Sequence, residues 1–172
     1  MLKKASSCGE KMDILKRYTI RKSDFKKLKE QLKQVIGEEG ETLFTKNAEL
    51  VETDKGILFA ENRTVLAFQF QAIVLPSLRA LNTQKAHLPP VTVDMGAVPY
   101  VTNGADIMAP GIVKVTPGLK QGEFVMIVDE RHSKALAVGE LLVNSDEILA
   151  RKKGKVIKNI HYVNDEIWSL QL

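Results

Sequence analysis

Apolar residues recur at helical spacing in one early stretch: Phe25, Leu28, Leu32, Val35 and Ile36 return every three or four positions, which places them on one face of an α-helix. Ser23 stands where an N-cap belongs, Asp24 falls in the first turn, and Gly37 follows the last apolar residue, so the pattern predicts a helix between residues 23 and 37. Lys26, Lys27, Lys29 and Lys33 fill its other faces and give it a basic exterior. A strand is expected just before it, over residues 15–20. Beyond Gly37 the period shortens to two. Leu43-Phe44 and Leu50-Val51 predict strands around a turn near Asn47. Asp54-Lys55-Gly56 is a hairpin-type turn into a short strand at 57–60, and Glu61-Asn62-Arg63 is a further turn. Residues 64–71 alternate cleanly, with Leu66, Phe68 and Phe70 on one face. Pro76 is placed in the first turn of a short helix over 77–81. The first half is therefore α/β or α+β, a long basic helix on an antiparallel sheet.

Residues 82–90 are polar, lack a period and end in two prolines, which marks a boundary. A strand follows at 91–95, then Gly96 at a turn. Ala97, Val98 and Val101 form a short helical pattern opened near its start by Pro99 and closed by Asn103-Gly104. A strand begins at Ala105, is interrupted by Pro110-Gly111 and resumes at Ile112. After Thr116-Pro117-Gly118 come strands at 124–128 and 135–143, the second carrying Gly139 at a bulge. Ser145 caps a short helix over 146–151, residues 155–163 alternate as a strand, Asn164-Asp165 turns, and a last strand is expected at 167–170. Many short strands with two small helices indicate a compact mixed β-barrel.

Composition adds bounds. With 44% hydrophobic and 27% charged residues the chain has the make-up of a soluble globular protein. No apolar run reaches membrane-spanning length and no signal peptide opens the chain, so it is expected to be cytoplasmic, without a membrane partner. Cys8 is the single cysteine and is read as an ordinary free thiol. No CxxC or HxxxH spacing calls for a metal, and His87 has no neighbouring ligand in sequence. The net charge of +4 is unevenly placed. Basic residues dominate 3–33, acids dominate 38–61, and Arg151, Lys152, Lys153, Lys155 and Lys158 stand together without an acid among them. Such clusters create positive fields that suit polyanions. No Ser/His/Asp set, catalytic carboxylate pair or phosphate-binding GxxxxGK[ST] motif is present.

Asp94-Met95-Gly96-Ala97, the run from Gly104 through Ala105, Asp106, Ile107, Met108, Ala109 and Pro110 to Gly111, and the closing Asn159-Ile160-His161-Tyr162-Val163-Asn164-Asp165 with Trp168 together resemble a PUA domain. The closing segment, with Leu75-Pro76-Ser77-Leu78-Arg79-Ala80-Leu81, resembles the malignant T-cell amplified sequence family and its archaeal relatives. The resemblance implies an α+β chain: a small N-terminal α/β domain over 1–84 and a PUA-type pseudobarrel over 90–172. It implies an RNA groove built from Gly96, Ala97, Tyr100, Gly104, Ala105, Asp106, Ile107, Met108, Pro110 and Gly111, with His161 and Tyr162 from the last strand. Lys114, Arg151, Lys152, Lys153, Lys155 and Lys158 would add charge. Glycine-loop amides could donate to phosphates, and the last-strand aromatics could hydrogen-bond or stack. Trp168 is expected in the core. The family's role implies a non-enzymatic translation factor, without a cofactor. It would act in initiation or recycling on structured RNA, at a tRNA acceptor end or ribosomal RNA of the small ribosomal subunit, with a possible SUI1-domain partner. The alternative is an accessory or targeting subunit of a pseudouridine- or archaeosine-forming enzyme.

Overall fold

The computed structural model describes residues 11–172; the expectations for Lys3, Lys4 and Cys8 lie outside the described residues. Met12 is buried in the core. Strand β1 (Ile14–Thr19) leads into helix α1 (Lys22–Ile36). The helix begins two residues earlier than a Ser23 cap would set it, with Arg21 at the cap position, because the Phe25 amide closes the first turn on the Arg21 carbonyl at 2.8 Å. Leu28, Leu32 and Ile36 are buried as the spacing demands, and Gly37 (φ +65°) stops the helix with its amide on the Lys33 carbonyl.

Where a strand was expected at Leu43-Phe44, the chain forms the single turn α2 (Glu39–Thr42) and a run of bends, with Leu43 and Phe44 fully buried. Strands β2 (Glu49–Thr53), β3 (Gly56–Glu61), β4 (Thr64–Phe70) and β5 (Ile73–Pro76) then add in sequence, giving an antiparallel sheet in the order β1-β2-β3-β4-β5. Asn62 and Arg63 both take positive φ, the backbone of a tight hairpin turn between β3 and β4. Pro76 closes β5 opposite Ala67 instead of opening a helix. Ser77 is the cap: its Oγ accepts from the Ala80 amide and donates to the Val65 carbonyl at 2.7 Å, which starts α3 (Leu78–Asn82).

The second sheet contains β6 (Pro90–Val93), β7 (Ile107–Met108), β8 (Ile112–Val115), β9 (Phe124–Asp129), β10 (Ala135–Leu141) and β11 (Lys155–Tyr162), in the order β7-β11-β10-β9-β6-β8. Only β6 and β9 pair parallel. β7 and β8 stand at opposite ends of that order, yet a single 3₁₀ turn, Ala109–Gly111, joins them. The sheet must therefore curl until its two edges meet, and Val91, Val93, Val125, Ile127, Ile157 and their neighbours fill the enclosed core. Gly139 sits at a register shift in β10, where a Cβ would fall 2.5 Å from Ile157 Cγ2.

Among the described residues three short helices decorate the barrel, one more than the pattern predicts: α4 (Val98–Val101), α5 (Ser145–Ile148) and α6 (Glu166–Ser169). α6 replaces the expected final strand because Asp165 is an N-cap, its Oδ1 accepting from the Trp168 amide at 2.8 Å. Ser145 begins α5 rather than capping it; Asn144 holds the cap position, and Ser145 Oγ accepts from the Leu119 amide. None of the described helices is long and apolar enough to cross a membrane.

The two sheets are not beads on a string. Ala135 and Val138 belong to the core beneath the first sheet, and Phe124, Met126, Ile160 and Trp168 pack against it. The connecting stretch is tied down at both ends: Asn82 exchanges two hydrogen bonds with the backbone of Ala135, and Ala86 and Leu88 are buried.

Candidate nucleic-acid interface

β6 delivers the chain to Asp94, whose amide donates to the Gly111 carbonyl at 2.9 Å and whose Oδ1 accepts from the Ala97 amide at 2.8 Å. One residue thus ties the strand end to the 3₁₀ turn through its backbone amide and sets the first turn of α4 through its carboxylate. On that turn Val101 points into the barrel and is 2% exposed, which leaves Tyr100 outside at 70%. From β11, Asn159 clasps the returning loop: its Nδ2 donates to the carbonyls of Val101 and Ala105, both at 3.0 Å, and its amide to Asp106 Oδ1 at 2.9 Å. Neither Asp94 nor Asn159 stands among the sequence-predicted contacts. The only sequence signal was that each opens one of the segments carrying the resemblance.

These ties shape a groove of about 300 Å³ lined by Gly96, Ala97, Tyr100, Asp106, Ile107, Met108, Pro110 and Gly111, together with Asp94 and Val101. Met108 is 46% exposed and Tyr100 more so, whereas Ile107 is buried and forms only the floor. Ala105 is exposed beside the groove but does not line it. Gly104 is there for Tyr162. With φ +87°, it lies so close to the ring that a Cβ would sit 2.7 Å from Tyr162 Cζ. Its amide donates to Val101 and that of Ala105 to Tyr100, so neither is available to a phosphate. The Gly96 amide, exposed at the groove mouth, donates to no group among the described residues.

His161 leaves the interface. It is 1% exposed, its Nε2 accepts from the Leu78 amide at 3.2 Å, and its Nδ1 lies 2.6 Å from Asp165 Oδ2. The ring packs edge-on against Phe68 of the first sheet, next to the bulge between Val138 and Gly139 that shifts the β10–β11 register. Tyr162 is half-buried against Gly104 and the barrel core. Trp168 is half-buried on α6, under the Arg79 guanidinium 5.0 Å from its ring.

The cations divide. Lys155 pairs with Asp106 at 3.3 Å and lies opposite Met108, and the Gly154 carbonyl accepts from the Ala109 amide at 2.9 Å. The loop carrying Lys152 and Lys153 is thereby pinned beside the groove, with both lysines exposed. Arg151 turns back to Glu147 at 3.8 Å. Lys158 faces the other way, its ammonium 5.5 Å from the Phe70 ring of the first sheet. Lys114 is exposed on β8 opposite Thr92, outside the groove lining.

A closed mixed barrel with a glycine-walled, lysine-edged groove between its first helix and its 3₁₀ turn defines a PUA-domain protein, and residues 89–163 match the PUA domain family. An uncharacterized protein of Methanocaldococcus jannaschii is 39% identical over 162 residues, covering 93% of this chain and 99% of that one. Translation machinery-associated protein 20 of Saccharomyces cerevisiae is 35% identical over 125 residues, 69% of each chain. Human malignant T-cell-amplified sequence 2 is 37% identical over 101 residues, 56% of this chain and 55% of that one. A crystal structure of a hypothetical protein from Pyrococcus horikoshii superposes with a TM-score of 0.79 at 32% identity, covering 91% of this chain and all of that one. The chain belongs to the family of PUA-domain proteins that includes translation machinery-associated protein 20 and the malignant T-cell-amplified sequence proteins.

Proposed function

We propose that this chain is a non-enzymatic RNA-binding translation factor that takes the end of a structured RNA into the groove between α4 and the 3₁₀ turn. The tRNA acceptor end on the small ribosomal subunit is the target that fits best, in initiation or recycling. The names borne by its relatives support the setting in translation. The observation that carries the reading is Tyr100, a 70% exposed aromatic at an apolar groove whose Asp106 pairs with Lys155, on the same segment as the exposed Lys152 and Lys153. A base stacked on Tyr100 would rest beside Met108 and Pro110. The free Gly96 amide and the three lysines would meet its phosphates. Residues 1–84 and 90–172 act as two domains of one body, the second holding RNA and the first facing other components, an SUI1-domain protein among them.

The test is binding of unmodified tRNA at several salt concentrations. Replacing Tyr100 with Ala should weaken binding by about tenfold, the scale of one lost base–aromatic stack, and leave the salt slope unchanged. Replacing Lys152, Lys153 and Lys155 with Gln should flatten the slope by up to about 0.9 per lost phosphate contact. Absence of wild-type binding at low salt sinks the RNA reading, and an unaffected Tyr100 variant sinks the groove assignment.

A further inference from the structure

β1 is the outer strand of the first sheet, and all six of its residues are exposed. The opposite edge, β5, lies under α1. Among the described residues nothing covers β1, although it carries Ile14 at 42%, Leu15 at 63% and Tyr18 at 48% exposure. An uncovered edge with large apolar side chains is a template for another strand. The strand also borders a cleft of about 610 Å³, bounded by Met12 and Ile14 on one side and by Leu170, Asp165 and Glu166 on the other. Edge and cleft share Ile14, so one extended segment could occupy both.

We propose that β1 receives an extended segment of a partner protein by strand addition, with two adjacent acidic residues opposite Lys16 and Arg17 and apolar residues on either side. The charges select the partner. Lys16 pairs with Glu52 at 3.7 Å and Arg17 with Glu49, both on β2, so a second acid from the outer side continues a negative–positive–negative ladder across three strands. The same charges argue against a second copy of this chain. In a two-fold antiparallel pair, facing residues lie on one side of the sheet, which forces one residue to face its own copy. Centred on β1, that residue is Lys16 or Arg17, and like charges directly opposite destabilise the pair. Tyr18 would meet the apolar residue on one flank, and the residue on the other flank would pass Leu15 and Ile14 into the cleft. The inference stands on the first sheet and does not depend on the RNA groove.

The experiment titrates the isotope-labelled full chain with a capped peptide of core sequence Val-Thr-Glu-Glu-Val-Leu and with its Lys-Lys counterpart, following backbone amides by NMR. Expected are shifts concentrated in residues 12–20 and at 164–171, and about tenfold weaker binding of the Lys-Lys peptide. Lys16→Gln and Tyr18→Asp, both at exposed positions, should each weaken the acidic peptide by about tenfold with little change in melting temperature. Equal affinity for the two peptides, or no shifts along β1, overturns the proposal. Two further outcomes overturn it in favour of another occupant: a concentration-dependent dimer that Tyr18→Asp abolishes assigns the edge to a second copy, and displacement of the peptide by tRNA assigns it to RNA.

Discussion

At Gly104 the bare backbone makes room for the ring of Tyr162. The sequence singled out Gly104 as bare backbone for a ligand, but its φ of +87° and the ring 2.7 Å from a would-be Cβ make it the seat of an aromatic side chain. A substitution there acts on the fold first. Gly104→Ala should cost about 2 kcal/mol in urea unfolding, from the disfavoured backbone region and the collision together. In a Tyr162→Ala background the collision is gone and the cost should fall to about 1 kcal/mol. An equal cost in both backgrounds would show that the ring is no obstacle. Gly104 is therefore a poor probe of RNA binding, and Tyr100, 70% exposed at the groove, is the better one. His161 is the mirror case: histidine in a strand beside lysines looks like a ligand contact, but its ring is buried and held by the Leu78 amide and Asp165, partners that a period-two reading does not name.

At the scale of elements, whatever depended on period alone was legible: α1 with its buried Leu28, Leu32 and Ile36, the alternating β4, and the turn-rich barrel. What failed depended on a side chain bonding to backbone. Asp165 turned a predicted strand into α6, Ser77 moved the start of α3, and Glu61 holds the 45–47 loop that follows Leu43-Phe44, where a strand was expected and bends are found. Glu61 Oε1 accepts from the amides of Thr45 and Lys46 at 2.9 and 3.0 Å, and the Thr45 hydroxyl adds a further bond. Burial alone would raise this carboxyl; the amide and hydroxyl donors outweigh it and hold it below the ordinary glutamate value of 4.5. A lowered folded-state value stabilises above the unfolded-state one, and the gain is lost as pH falls through the folded value. Glu61→Gln should therefore cost about 2 kcal/mol near neutrality, the scale of lost bonds to a charged acceptor. The difference from the parent should shrink steadily below about pH 4.5 and vanish once both side chains are neutral. Urea midpoints of the two proteins from pH 7 to pH 3 test this, and parallel curves across that range would mean that the ionised carboxylate is not what holds the 45–47 loop.

For the whole molecule the decisive feature is how the barrel's outer face is used. Phe124, Met126, Ile160 and Trp168, which a barrel standing alone would show to water, pack on the core of the first sheet. Four polar links surround that contact: His161 to the Leu78 amide, Asn82 to Ala135, Arg79 to the Trp168 carbonyl at 2.8 Å, and Lys55 to Glu166. The polar, proline-ended stretch at 82–90 thus marks where one sheet gives way to the next without being a hinge. Two bodies sharing apolar surface and buried hydrogen bonds should melt together, so calorimetry should give one transition whose calorimetric and van't Hoff enthalpies agree. His161→Ala leaves the Leu78 amide without an acceptor inside the contact and removes the ring beside Phe68, a loss of about 2 kcal/mol. It should lower the melting temperature by several degrees, about 2–4 °C per kcal/mol at this size, and move both sheets' signals alike. If only the barrel's amides lose exchange protection while those of β2–β4 keep theirs, the sheets unfold independently and the contact is a docking surface between separable domains. A single cooperative body instead fixes the β1 edge at a set distance and orientation from the Tyr100 groove, so that a partner held on one is presented to an RNA held on the other.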